Sequence, residues 1–173
     1  MKKITINNTE YEIRKWKETD SVSELTELLH RSYKELADIG LIFLATHQTD
    51  TQTKRRIEKA DCFVIEHIGK LAATISLYPH NKLSECEMYR NENAGYFGQF
   101  AVEPCMQKTG IGSRLMEFIE AFAREKGIKE LALDTSEKAL HLIEFYKKRG
   151  YGFVHYHKWD IVNYRSVVMS KIL

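Results

Sequence analysis

The chain has 173 residues, 43% of them hydrophobic, and a formal net charge of +2, which together are typical of one globular domain spanning residues 1–173. It lacks a run of about 18 apolar residues and a long block of Lys and Arg, so we expect neither a membrane nor a nucleic acid among its partners. Three cysteines without a C-x-x-C spacing, after an N-terminus too polar for a signal peptide, indicate reduced thiols in a cytoplasmic protein.

The first half of the chain predicts two helices and three strands. The first strand is expected at residues 11–16, from its alternating pattern. Ser21 and Glu24 have the spacing of a capping box, and the apolar residues that follow recur at helical spacing. The apolar patch at residues 41–44 could line an acceptor pocket or pack under this first helix. The remaining predicted elements are a polar helix at 50–60 and the two strands of a hairpin at 62–66 and 70–77.

The second half predicts a different alternation of strands and helices, giving a mixed α/β fold. Residues 81–93 are polar and rich in carboxylates, so we expect a connection there. A helix over residues 113–126 ends at Gly127, and Thr135 and Ser136 are expected to cap the next helix. Strands are predicted at residues 96–102, 130–134, 152–158 and 166–172.

The segment 107–112, which reads Gln-Lys-Thr-Gly-Ile-Gly, is the most informative part of the sequence. Because Gly110 and Gly112 have no Cβ, a bulky anion can approach the main chain closely. The first N–H groups of the following helix have no partner within the helix and carry the positive end of its dipole. The segment therefore predicts a binding site for a pyrophosphate.

Two familiar phosphate-binding motifs compare poorly with this segment. A P-loop requires a Lys followed by Ser or Thr after its last glycine, and none follows Gly112. A dinucleotide-binding fingerprint requires a third glycine where this chain has Leu115. Asp134 does lie at the end of the next predicted strand, so the dinucleotide interpretation is weakened and stays open.

Residues 96–151 resemble the acyl-CoA-binding core of the GNAT superfamily of N-acyltransferases. The resemblance rests on an apolar strand with a Pro turn at residues 100–104, followed by Gln107, Gly110 and Gly112 in the family's register. It also rests on the Tyr-x-x-x-Gly-Tyr sequence at residues 146–151. The resemblance implies a mostly antiparallel sheet flanked by helices, in which two central parallel strands splay apart beyond Val102.

The resemblance further implies direct transfer of an acetyl group from acetyl-CoA to a primary amine in a ternary complex, without a metal. In the family the residue at the Lys108 position is often glycine, so this loop differs in detail. The acceptor would be a small-molecule or peptide amine, and a homodimer is common in the family. The residues expected to bind the cofactor are Phe100, Ala101, Val102, Gln107, Lys108, Thr109, Gly110, Ile111, Gly112, Ser113 and Arg114.

Tyr146 is the predicted catalytic acid, by resemblance placed beside the CoA sulfur. A phenol with a pKa of about 10 could protonate a departing thiolate whose pKa is about 8.5. The alternative is that Tyr146 only fills the core. The base is not defined: Tyr96 occupies the position where some family members have a glutamate, and Gln99 and Glu92 are near it in sequence.

Two other functions remain compatible with the sequence. One is a non-catalytic CoA-binding or interaction module, because cofactor binding and chemistry depend on different residues. The other, less favoured, is a dinucleotide-binding oxidoreductase.

Overall fold

A computed structural model describes residues 2–173 of the chain. Eight strands and five helices follow one another in a mixed order, confirming the predicted α/β class. The elements are β1 (Lys2–Ile6), β2 (Thr9–Lys15), α1 (Val22–Asp38), α2 (Asp50–Glu58), β3 (Asp61–His67), β4 (Lys70–Pro79), α3 (Glu87–Arg90), β5 (Ala94–Val102), α4 (Ile111–Glu125), β6 (Glu130–Ser136), α5 (Leu140–Lys147), β7 (Gly152–His157) and β8 (Ser166–Ile172).

The strands form one sheet in the order β1-β2-β3-β4-β5-β6-β8-β7. Every neighbouring pair is antiparallel except β5 and β6, which run parallel. The parallel ladder joins only residues 94–96 to residues 130–132, so the two strands stop pairing after Tyr96. The expected splay between central parallel strands is present, but it begins earlier than the predicted point beyond Val102.

Helices cover both faces of the sheet. On one face, α4 packs residues such as Ile111, Leu115 and Ile119 against the strands in the largest buried cluster. On the other face, Leu25 and Leu28 of α1 pack in a second buried cluster. Among residues 2–173, no helix is both long and apolar enough to cross a lipid bilayer.

The N-terminal hairpin was not predicted. β1 pairs with β2 through a two-residue turn at Asn7 and Asn8, whose φ angles are 48° and 63°. Asn tolerates this left-handed conformation, and such turns match the twist of the strands they join. Ile4 and Ile6 are buried on one face of β1, so the alternating pattern was present in the sequence.

The predicted cap of α5 was wrong. Thr135 and Ser136 are the last residues of β6, where they pair with β8. α5 begins only at Leu140, with Ala139 at its N-cap position and no side-chain capping bond. The Ser136 hydroxyl instead accepts a hydrogen bond of 3.2 Å from the backbone N–H of Lys138, which forms a turn. Ser and Thr favour such local bonds in turns as well as at helix starts, so composition alone did not separate the two.

Two other local predictions were partly right. Ser21 caps α1 by accepting a bond from the Glu24 N–H, as expected, but the Glu24 carboxylate accepts from the Leu71 N–H at 2.7 Å. This bond ties α1 to β4 in place of the reciprocal half of the capping box. The polar connection at residues 81–93 contains the short helix α3, and Met88 and Tyr89 in it are buried.

Candidate active site

A β-bulge interrupts β5 where its parallel partner has already departed. Between the paired residues Gly98 and Ala101, β5 has one residue more than β4 has between their partners. Gln99 lies in this bulge with a φ of 46°, an unusual value for a residue other than glycine. Bulges bend a strand and redirect its side chains, and they are frequent beside active sites.

Beyond the bulge, the backbone of Val102 is directed away from β4. The Glu103 N–H donates to the Ala72 carbonyl at 2.8 Å, so Glu103 and Ala72 are a hydrogen-bonded pair of this antiparallel ladder. Hydrogen-bonded and non-hydrogen-bonded pairs alternate along such a ladder. Val102, opposite Ala73, is then in a non-hydrogen-bonded position, so its N–H and C=O face away from β4. This edge of β5 adjoins the cleft opened by the splay.

The carbonyl groups along this edge already have partners. The Tyr33 hydroxyl donates to the Phe100 carbonyl at 3.0 Å, and the Ser32 hydroxyl donates to the Val102 carbonyl at 2.9 Å. The Gln107 side-chain amide also donates to the Val102 carbonyl, at 3.1 Å, and so ties the glycine loop to the strand. Because the acceptors are occupied, the edge offers mainly backbone donors to a ligand.

The glycine loop leaves the start of α4 open. Gly110 is the N-cap residue, with a φ of 108°, and no side chain caps the helix. The first N–H groups of α4 therefore lack a capping partner and carry the positive end of the helix dipole. A Cβ at Gly112 would lie 3.4 Å from Cζ of Phe100, so the missing side chain lets α4 begin close to β5.

The remaining predicted cofactor-binding residues differ in their exposure and in whether their polar groups already have partners. Lys108 is exposed and has a φ of 62°, which explains why glycine suits this position in the resembling family. The Arg114 guanidinium is paired with Glu117 at 2.8 Å, so it is a less available phosphate ligand than predicted. The Thr109 hydroxyl donates to the Met106 carbonyl at 2.7 Å, and Ala101 pairs with Thr74 of β4.

Arg149 lies within the Tyr-x-x-x-Gly-Tyr sequence at residues 146–151 but was not predicted as a site residue. Its guanidinium stacks 3.5 Å above the Phe145 ring and donates to the Phe145 carbonyl at 2.8 Å. It also donates to the hydroxyl of Ser113 in the first turn of α4. Burial lowers the pKa of Arg149, which is consistent with a cation held partly out of water.

Tyr146 is buried in the main cluster, where its ring packs 6.0 Å from Phe97 and 5.3 Å from Phe145, centroid to centroid. Burial raises the pKa of Tyr146 well above its usual value, and the nearby Tyr33 and Asp134 add to this increase. No hydrogen bond joins its hydroxyl to another group within residues 2–173. Tyr146 is thus a protonated phenol whose O–H has no fixed partner.

A cavity of about 590 Å³ opens on the other side of the splay. One side of it is formed by four aromatic residues, here called the aromatic wall: Tyr78, Tyr96, Tyr89 and Trp159. Successive ring centroids along the wall are 5.0, 4.0 and 6.0 Å apart, and the three tyrosine rings are nearly parallel. Their positions in the sequence gave no signal of this stack, because β4, β5, α3 and the segment after β7 each contribute one ring.

The three residues considered as a general base differ in whether they line the cavity. Tyr96 lies in the cavity, but burial raises its pKa to about 12, so it stays protonated near neutral pH. Gln99 also lines the cavity, and its Oε1 accepts a hydrogen bond from Tyr78 at 2.9 Å. Glu92 is exposed, pairs with Lys82 at 2.6 Å and does not line this cavity.

Charged residues line the cavity as well. The Asp134 carboxylate accepts hydrogen bonds from Tyr89 at 2.8 Å, Trp159 at 3.0 Å and Ser166 at 2.8 Å. The Arg56 side chain reaches the cavity from α2, and sequence reasoning had not identified it.

The patch at residues 41–44 both packs under α1 and reaches the cavity. Leu41 is buried with Leu36 of α1, whereas Phe43 and Leu44 line the cavity. Within residues 2–173, no three His, Cys, Asp or Glu side chains are grouped so that they could hold a metal ion.

This geometry, a splayed sheet with an open helix start on one side and an open cavity on the other, fits an acyl-CoA-dependent transferase. The family model described as the acetyltransferase (GNAT) family matches residues 22–151. The chain belongs to the GNAT acetyltransferase family and is an N-acetyltransferase, as the sequence resemblance indicated. The dinucleotide interpretation is therefore excluded.

A characterised relative and two solved structures are similar to this chain, in line with the family assignment. The chain is 30% identical over 135 residues to an S-(2-succino)cysteine N-acetyltransferase of Bacillus subtilis, covering 74% of this chain and 76% of the relative. The GNAT domain of S. lividans PAT superposes with a TM-score of 0.75 at 18% identity, over 99% of this chain and 96% of that one. A GNAT family acetyltransferase from Elizabethkingia anophelis with acetyl-CoA bound gives a TM-score of 0.68 at 16% identity, over 94% and 98% of the two chains.

Proposed function

We propose that this chain transfers the acetyl group of acetyl-CoA to the primary amine of a small molecule. The observation that carries the proposal is that two accessible surfaces, one suited to a cofactor and one to an acceptor, meet at the end of β5. On one side lie the uncapped start of α4 and the donor edge of the strand. On the other side lies the cavity with its aromatic wall. A cofactor bound along the first and an acceptor bound in the second would meet near the bulge at Gln99.

The residues present suit acetyl-CoA, which supplies the acetyl group as an activated thioester. The open N–H groups between Gln107 and Ser113 would hold the pyrophosphate, with Lys108 and Arg149 as neighbouring cations. Each charge-assisted hydrogen bond contributes about 1.5–3 kcal/mol, so three or four support micromolar affinity. The pantetheine arm would lie along the donor edge of β5 beside Phe100 and accept backbone hydrogen bonds from it, as an added strand does.

The chain's own groups have two tasks in the reaction. The Val102 N–H would donate to the acetyl oxygen as charge develops there. The Tyr146 phenol would donate its proton to the departing sulfur. Its raised pKa disfavours transfer to a thiolate in water, but a thiolate leaving in the same desolvated cleft also has a raised pKa.

The acceptor amine must be neutral before it attacks. For an amine of pKa about 10, this costs roughly 4 kcal/mol near pH 7. Tyr96 cannot remove that proton because its own pKa is about 12. We propose that the proton leaves through water in the cavity and that the desolvating aromatic wall lowers the cost by disfavouring the ammonium form.

A small acceptor is favoured over a protein. The cavity holds about 590 Å³ and is bordered by residues of α1, α2, the segment before α3 and the segment after β7. This volume is in the range of ordinary small-molecule sites. The Bacillus subtilis relative is named for an acceptor of this size, a substituted cysteine.

Calorimetry with acetyl-CoA, CoA and NADH, followed by mass spectrometry of acetylated amines, tests the proposal. We expect micromolar binding of acetyl-CoA and CoA, none of NADH, and an acetylated small amine. If the protein binds acetyl-CoA but acetylates only peptides, the small-acceptor proposal is wrong. If it does not bind acetyl-CoA, the proposed cofactor site is wrong.

A further inference from the structure

The cavity is lined by three cationic residues, Arg55, Arg56 and Lys59, of which only Arg56 is partly buried. Arg56 of α2 lines it, and its Nη1 donates to the side-chain oxygen of Gln48 at 2.6 Å. Its Nη2 lies against β5, since a Cβ at Gly98 would be only 3.3 Å away. The guanidinium therefore lies on the strand beside the bulge, where the acceptor is expected.

Building on the proposed function, we propose that the acceptor is an amine that also carries a carboxylate, and that Arg56 binds this carboxylate. An α-amino acid has this chemistry. A planar guanidinium presents paired N–H donors that match a carboxylate, and such pairs are among the stronger hydrogen bonds in proteins.

A buried chain of hydrogen bonds fixes Arg56. Gln48 is fully buried, and its Nε2 donates to the Thr53 hydroxyl oxygen at 2.6 Å. Thr53 is also fully buried, and its oxygen accepts from Thr26 at 2.8 Å. Because Gln48 uses its amide nitrogen on Thr53, its oxygen must face Arg56. The protein thus orients the guanidinium with neutral groups.

The charge of Arg56 is not neutralised by the protein. None of the salt bridges within residues 2–173 involves Arg56. Arg56 is half-buried and contacts only neutral partners, so the free-energy cost of removing its charge from water is not offset by an opposite charge. A ligand carboxylate would supply that opposite charge.

Gln99 provides a second donor at the same place. Burial raises the pKa of Tyr78, so its phenol keeps its proton and donates it to the Gln99 oxygen. The Nε2 of Gln99 is left buried without an acceptor among the described residues. A carboxylate on Arg56 would place an oxygen acceptor near this group, which otherwise carries the cost of an unmade hydrogen bond.

An anionic group lines the same cavity. Asp134 accepts three hydrogen bonds, all from neutral donors, and no Lys or Arg of the described chain forms a salt bridge with it. Arg56 and Asp134 line the same cavity, together with Tyr33 and Tyr96. An amino acid whose carboxylate lies on Arg56 and whose neutral amine donates a hydrogen bond to Asp134 matches both.

The test compares acceptors that differ only in the carboxylate. The standard L-amino acids and S-alkyl and S-carboxyalkyl derivatives of L-cysteine would be screened beside their decarboxylated amines, with product measured by mass spectrometry. We expect the best acceptor to carry a carboxylate and its decarboxylated analogue to be at least 10-fold poorer in kcat/KM. Removing one charge-assisted hydrogen-bonding pair has an effect of about this size.

Variants separate the role of Arg56 from that of the cofactor site. Arg56→Met should raise KM for the carboxylated acceptor about 10- to 100-fold, leave its decarboxylated analogue nearly unaffected and preserve acetyl-CoA affinity. Arg56→Lys should recover part of the loss, which would show that the fold is intact. Lys54→Met, a cation of the same helix outside the cavity, is the matched control.

Three results would overturn this inference. They are a best acceptor without a carboxylate, equal effects of Arg56→Met on both members of a pair, and no acetylated product from the panel by a protein that binds acetyl-CoA. Failure to bind acetyl-CoA would instead overturn the proposed function itself, and calorimetry distinguishes that case before any acceptor is added.

Discussion

The guanidinium of Arg149 donates a hydrogen bond to the hydroxyl of Ser113, so a cation from the end of α5 lies in the first turn of α4. This position is electrostatically unfavourable in the free protein, because the start of a helix is the positive end of its dipole. An anion bound between the two would remove the conflict. The pair therefore supports a phosphate-bearing ligand at this end of the molecule.

We expect Arg149→Met to weaken acetyl-CoA binding by about 10-fold, since one charge-assisted contact to phosphate is lost. Calorimetry at two salt concentrations measures the effect, which should shrink at high salt as screening increases. Lys148→Met removes an adjacent exposed cation and should leave affinity unchanged. Equal losses in both variants would mean that only the general positive charge matters.

Gly110→Ala should destabilise the protein by about 1–2 kcal/mol, because a φ of 108° is strained for a residue with a Cβ. The same change should weaken cofactor binding, as the strain tilts the start of α4. Urea unfolding and acetyl-CoA titration measure the two effects. Gly152→Ala is the matched control, since its Cβ would meet no atom within 4 Å and its φ is ordinary. A Gly110→Ala protein of unchanged stability would contradict the argument.

Tyr146→Phe should lower kcat by more than 10-fold while acetyl-CoA affinity changes little, because only the proton donor is removed. Tyr151→Phe controls for the loss of a core hydroxyl: Tyr151 is buried in the same cluster, and its O–H donates to Glu120 at 3.2 Å. Steady-state kinetics on both variants measures kcat, and calorimetry measures acetyl-CoA affinity. An unchanged kcat for Tyr146→Phe would leave Tyr146 with a packing role alone.

Stability below neutral pH should depend on Asp20. Burial opposes its ionisation, but two hydrogen bonds from Arg14 at 2.7 and 2.9 Å and one from the Lys17 N–H outweigh this and lower its pKa. A lowered folded-state pKa stabilises the protein above the unfolded value of about 3.9, and this contribution is lost as pH falls through the folded-state pKa.

Asp20→Asn should therefore cost about 2 kcal/mol at pH 7, between the values for exposed and buried ion pairs. The unfolding free energies of the variant and the original protein should converge as the pH falls below the folded-state pKa of Asp20. Urea denaturation at a series of pH values measures this. A difference that stays constant from pH 7 to pH 3 would show that charge is not its source.

The glycine loop and the open start of α4 were predictable from the sequence because their determinants are local. Gly110, Gly112 and the helix that follows are adjacent in the chain, and the left-handed φ of Gly110 follows from glycine's freedom. The cavity proposed for the acceptor was not predictable in the same way. Arg56 and Asp134 are far apart in sequence, and only the sheet order brings their strands and helices around one cavity.

Some local signals were present but ambiguous. The Asn7-Asn8 turn between two short alternating segments is a recognisable hairpin signal, yet the following strand was the only one predicted there. Ser136 illustrates the opposite case, since its hydroxyl forms a turn rather than a helix cap. Tertiary pairing with β8 decided that position, and a single sequence does not contain the pairing. The extent of the domain, residues 1–173, stays a prediction.

Trp159 gives the protein an internal optical probe. Its indole N–H donates to Asp134, its ring lies at the end of the aromatic wall, and it is one of two tryptophans in the chain. The other, Trp16, packs beside α1 against a separate cluster and does not line the cavity. Emission from Trp159 should therefore change when an acceptor enters and stay constant when only the far end of the cofactor is bound. Replacing Trp16 with Phe would leave a single fluorophore that follows acceptor occupancy in real time.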